Sequence, residues 1–225
     1  MVRALLAFLV LGLAATASAA DAKKPESVSE LRARAEVGEV RAAFELANRL
    51  DYGRGVVQDR EEAAKWYLVA AEGGIAEAQN SLGSLYQAGD GVPQNFSQAL
   101  SWYQRAAEQN HPEAMNNLAY LYDEGKGTAE DNLHAIVLYT KAAEQGFVGS
   151  MVNLGVMYRD GDGVPVDLLE AYKWIDLARF YTQRSKDKQL KWRVRDLLDR
   201  LRATMTPNDI ENAESRARQW YESRK

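Results

Sequence analysis

From residue 39 onward, apolar positions recur at three- and four-residue spacing in short runs, and glycine or asparagine closes each run. That spacing is the period of an amphipathic helix, not of a strand. Residues 75–110 show the unit most clearly. Ala78, Leu82, Leu85 and Tyr86 mark the buried stripe of a first helix. Gly89 closes it, because a helix commonly ends on a left-handed residue that glycine adopts without strain. Gly91-Val92-Pro93 continues the turn, and Pro93 cannot extend a helix. Asn95 is placed to cap a second helix, with Gln98 three residues on to complete a reciprocal pair of hydrogen bonds. Ala99, Trp102, Tyr103 and Ala106 turn towards the core, and the helix stops at Asn110, a residue that tolerates the left-handed conformation. Pro112 suits the first turn of the next helix.

This unit is repeated in register. Gly53, Gly89, Gly125 and Gly161 align, as do Gly55, Gly91, Gly127 and Gly163. Ala63, Ala99, Ala135 and Ala171 form a third set, at positions where two helices must approach closely. Trp66, Trp102, Leu138 and Trp174 form a fourth. Asn110 falls in the register of Gly38, Gly74 and Gly146. Four helix–loop–helix repeats follow, at 39–74, 75–110, 111–146 and 147–182. One helix pair cannot bury its own apolar face, so successive pairs stack into a solenoid. Residues 27–38 match only a second helix and read as an N-terminal half-repeat cap. Residues 183–225 read as C-terminal capping helices: Thr206, Pro207 and Asp209 start one, and Ile210, Ala213, Ala217 and Trp220 give it an apolar stripe for the last repeat. The third repeat departs from the others at Thr128-Ala129, at Leu138, and at His134, where the other repeats carry Glu62, Gln98 and Glu170.

The run Leu82-Gly83-Ser84-Leu85-Tyr86-Gln87-Ala88-Gly89-Asp90-Gly91-Val92-Pro93, followed by Trp102-Tyr103-Gln104-Arg105-Ala106-Ala107-Glu108, resembles the Sel-1-like repeat. Leu154-Gly155 and Tyr158 repeat its opening. The resemblance spans 27–182 and implies an all-α fold, a right-handed α/α superhelix of the tetratricopeptide kind. It also implies a non-catalytic scaffold or adaptor, as in exported bacterial members concerned with envelope signalling or assembly. A cysteine-rich branch of the family is linked to β-lactams and cell-wall compounds, which leaves a cell-wall-related hydrolase or β-lactam binder as the alternative. The chain has no cysteine, which weakens that link.

Residues 1–20 differ from everything after them. Arg3 is followed by an apolar stretch, Ala4 to Ala15, and by the small residues Ala17-Ser18-Ala19. This is the layout of a secretory signal peptide, with cleavage after Ala19 or Ala20, and predicts an exported, periplasmic or secreted protein with no later membrane span. Absence of cysteine removes disulfides, thiol catalysis and Cys-based zinc sites, and two histidines, His111 and His134, leave little for metal or acid–base chemistry. No cofactor, metal or catalytic residue is therefore expected. A net charge of −4 argues against a nucleic-acid binder. Asp160-Gly161-Asp162-Gly163 lacks the later oxygen ligands of a calcium loop, and Ser185 with Lys188 forms an isolated SxxK without its partner motifs.

Advancing 100° per residue from the buried stripes places one polar row on the exposed side of each first helix. Phe44, Asn48, Asn80, Ser84, Asn116, Asn117, Tyr120, Val152, Asn153 and Val156 then line the concave face expected to take a peptide or protein. Asparagine amides can pair with a peptide backbone, and Tyr120, Val152 and Val156 give the row an apolar end. Charge is uneven as well: 21–183 carries 15 basic and 25 acidic residues, while 184–225 carries 12 and 7. The basic cluster includes Lys188, Lys191, Arg193 and Arg195, which reads either as a solvated helix face or as a docking patch for an acidic partner.

Overall fold

The computed structural model describes residues 26–224, so the segment read as a signal peptide lies outside the described residues. Among the described residues all regular structure is helical. The helices are α1 (Val28–Glu36), α2 (Val40–Tyr52), α3 (Arg60–Glu72), α4 (Ala76–Ala88), α5 (Phe96–Glu108), α6 (Pro112–Asp123), α7 (Asn132–Glu144), α8 (Val148–Asp160), α9 (Leu168–Thr182), α10 (Lys188–Arg202) and α11 (Pro207–Glu222). Each packs chiefly on its sequence neighbours up to α9, which receives both α10 and α11. Packing between successive neighbours makes the chain a solenoid of helix pairs α2–α3, α4–α5, α6–α7 and α8–α9, with α1 closing one end and α10–α11 the other.

Chain reversal follows the local rules. Gly53, Gly89 and Gly161 cap α2, α4 and α8 in the left-handed region. Asn110 reaches φ 62° between α5 and α6 and is the one non-glycine with positive φ among the described residues. The side chains of Asp59, Asn95, Asp131 and Asp167 each accept the backbone N–H three residues on, capping α3, α5, α7 and α9. Among the described residues the expected return bond is made only at Ser27–Glu30 and Thr206–Asp209. At two repeat helices the third-position carboxylate is engaged elsewhere: Glu62 takes Arg32 and the Trp66 indole N–H, and Glu170 takes Lys173.

The core is alanine-rich at the helix crossings. Ala63, Ala99, Ala135 and Ala171 are all fully buried. Tyr67, Tyr103 and Tyr139 insert from the second helices, and Trp102 and Trp174 are buried as expected of core residues. Trp66 is only half-buried: its indole edge bonds Glu62, which faces the half-repeat α1 through Arg32, and no complete repeat stands on that side.

Candidate functional site

The first helices of the four repeats, α2, α4, α6 and α8, line up along one side of the solenoid. Their polar residues are joined to one another. Asn117 donates from Nδ2 to Oδ1 of Asn80 at 3.0 Å, and one repeat later Asn153 donates to Oδ1 of Asn116 at 3.2 Å. Asn116 donates to Asn117 at 3.3 Å, which connects the two bonds into one run across α4, α6 and α8. Ser150 Oγ also donates to Asn116. Asn80 departs from the sequence expectation: it is buried, and its amide oxygen serves α6 rather than solvent. The helix wheel treats each helix alone, whereas stacking brings α6 over α4 and covers that residue.

The tyrosines of the second helices reach through to the same side. Tyr67 Oη donates to Asn48 Oδ1 at 2.9 Å and lies 3.3 Å from Asp51 Oδ2. Tyr103 Oη donates to Gln87 Oε1 at 2.9 Å and also bonds Ser84, and Tyr139 bonds Asn153. Burial pushes all three hydroxyls above the ordinary tyrosine range, so they are neutral hydrogen-bonding posts. Phe44 is half-buried and packs on Tyr67, with ring centroids 6.1 Å apart. Asn48, Asn116, Asn117, Tyr120, Val152, Asn153 and Val156 are half-buried, and Ser84 is exposed. Lys126 donates to the Tyr120 hydroxyl and lies over its ring, placing a cation at the apolar end.

Asp123 belongs to this side and was not singled out by the sequence. It stands one repeat after Gln87 and two after Asp51. Asp51 is held by Arg60, whereas Asp123 has no cation partner among the described residues. Burial, then Glu124, Asp162 and Glu130, hold its carboxyl above the usual aspartate range. The folded state therefore binds the proton more tightly than the unfolded chain. This group's contribution to stability falls as pH rises from the ordinary aspartate value through the raised one. Asp123→Asn is expected to raise Tm by about 1–3 °C at pH 7, and the gain should vanish below the ordinary aspartate range. Thermal unfolding across pH checks both parts.

The basic cluster is carried by α10, whose Val194, Leu198 and Leu201 are buried against the core. Lys188, Arg193 and Arg195 are exposed and Lys191 is half-buried; none has a carboxylate partner among the described residues. Ser185 is half-buried and its Oγ accepts the Asp187 N–H. Among the described residues no His, Asp and Glu side chains gather as a metal-holding group, and no helix is long and apolar enough to cross a membrane.

The Sel1 repeat pattern matches residues 40–75, 76–111, 112–147 and 148–179; each match starts one residue later than the boundary read from the glycine register, and the last ends at 179 and not at 182. Two solved structures are similar. A Sel1 repeat protein from Oxalobacter formigenes shares 29% identity over 77% of this chain and 75% of that chain, with a TM-score of 0.65. A protective antigen of uropathogenic Escherichia coli displaying an SLR fold shares 26% identity with a TM-score of 0.51; the match covers 87% of this chain and 48% of the antigen, so this chain spans about half the antigen's length. Comparison with curated proteins gives no match. With four repeats detected and the helix pairs stacked as described, the chain belongs to the Sel1 repeat family, whose solenoids are typically protein–protein interaction scaffolds.

Proposed function

We propose that this protein is an exported, periplasmic interaction scaffold in envelope signalling or assembly that takes an extended polypeptide along the side formed by α2, α4, α6 and α8. The observation that carries the reading is the run of asparagine amides from Asn80 to Asn153. Each bond uses one of the two N–H donors of Asn116, Asn117 and Asn153; Asn153 also meets the Tyr139 hydroxyl, so the second donors of Asn116 and Asn117 are the ones offered to a ligand. Because the amides are already fixed by one another, they lose little freedom when a backbone pairs with them. Val152 and Val156, one turn apart on α8, offer an apolar seat for a side chain at the end of the run. Export rests on the layout of residues 1–20.

The asparagines also hold repeats together, so replacing all of them would confound binding with stability. The cleaner variant is Val152→Asp with Val156→Asp, both at half-buried positions. A peptide selected by display against the native chain should bind this variant about tenfold or more weakly, with unchanged helicity by circular dichroism. Equal affinity for both proteins overturns the assignment of the apolar seat.

A further inference from the structure

The third repeat differs from the others at two places that the fold brings together. Leu138 stands where the other repeats carry Trp66, Trp102 and Trp174, and His134 stands one turn before it. Both line a cavity of about 350 Å³ between α5, α6 and α7 that opens to solvent. Its apolar wall is Met115, Leu118, Tyr122 and Leu138, and Lys141 stands at its rim.

The equivalent place one repeat earlier shows what this wall is shaped to hold. Trp102 is 7% exposed there, in a cluster with Leu82 and Tyr86, and the Arg105 guanidinium lies 4.6 Å from its ring centroid. Advanced by one repeat, Leu82 becomes Leu118, Tyr86 becomes Tyr122, and Arg105 becomes Lys141. The third repeat thus keeps the leucine and tyrosine of the wall and the capping cation, and shortens the group between them. His134 packs edge-on against Tyr122, with centroids 4.5 Å apart, and forms one side of the same gap.

We propose that this cavity is a binding site for one planar aromatic ring system of indole size, seated on Leu118, Tyr122 and Leu138 with the Lys141 ammonium over its face. The site shares α6 with the asparagine run but is lined by Met115, Leu118 and Tyr122 of that helix, not by Asn116 or Asn117, together with residues of α7 and the α5 end, so its occupation does not depend on polypeptide capture along the first helices. The same ring chemistry can arrive as a free heteroaromatic molecule or as a tryptophan side chain.

The test uses indole and a short tryptophan-containing peptide as probes, titrated separately into the native chain and followed by NMR at the Met115 methyl. Indole should shift that methyl saturably. Leu138→Trp supplies the missing indole from within, so it should raise Tm and weaken indole binding at least about tenfold. Lys141→Ala leaves the apolar wall intact and should weaken binding about two- to fivefold through loss of the cation. That second variant keeps the proposal open to test if Leu138→Trp does not fold. Binding of the peptide as well as indole identifies a polypeptide source; binding of indole alone identifies a free aromatic molecule, and both outcomes support the site. No saturable shift with indole, or shifts unaltered in Leu138→Trp and Lys141→Ala, overturns it.

Discussion

Gly91→Ala should destabilise the solenoid by about 3 kcal/mol, whereas Gly55→Ala, at the equivalent place one repeat earlier, should cost about 1–2 kcal/mol. Both glycines are left-handed, at φ 69° and 74°, so both substitutions share the conformational penalty of a side chain in that region. They differ in what a Cβ meets. At Gly91 it would stand 2.3 Å from the Arg60 carbonyl oxygen and 2.7 Å from the Glu61 nitrogen, both backbone atoms at the start of α3. Backbone cannot swing aside as a flexible side chain can. At Gly55 nothing lies within 4 Å among the described residues, where only α1 precedes this repeat. Gly127 and Gly163 meet Phe96 and Asn132 at the same place in later repeats, so the contact belongs to the stacking of repeats and not to the turn alone. Urea unfolding of the two variants separates these effects. Equal losses would mean that the loop does not brace one repeat against the next.

Ala171→Leu should cost about 2–3 kcal/mol. Ala171 is fully buried on α9, and a Cβ on Gly155 of α8 would lie only 3.2 Å from its carbonyl oxygen, so the two backbones nearly touch at this crossing. A longer side chain is expected to overpack this crossing and push the helices apart. Thermal unfolding should show the loss, and hydrogen exchange should rise in α8 and α9 before α2 and α3, because repeat arrays fail locally. A loss below about 0.5 kcal/mol would show that the crossing can relax.

What the sequence revealed and what it concealed divide along the range of the interactions. Asn110 could be placed in the left-handed region because its register with Gly38, Gly74 and Gly146 is a property of the chain itself. The caps at Asp59, Asn95 and Asp167 are equally local, three residues deep. The bonds from Asn117 to Asn80 and from Asn153 to Asn116 are not local. They join residues 37 apart, and their existence depends on the rotation between successive helix pairs, which a wheel drawn for one helix lacks. The same limit explains why the polar row looked open when Asn80 is buried in it. It also explains why Leu138 read as a variant within the core: only the stacked structure shows that the missing indole leaves a space with its walls kept. Asp123 escaped notice for a related reason. Its raised pKa comes from burial and from Glu124, Asp162 and Glu130, and the contribution of Asp162 needs α6 and α8 side by side.

The central claim, that polypeptide is held along the first helices, is tested most directly by hydrogen exchange of the native chain with and without a display-selected peptide. Protection confined to α4, α6 and α8, centred on Asn116, Asn117 and Asn153, is the predicted result. Protection centred on α10 and its Lys188–Arg195 cations, with α4, α6 and α8 unchanged, would contradict it.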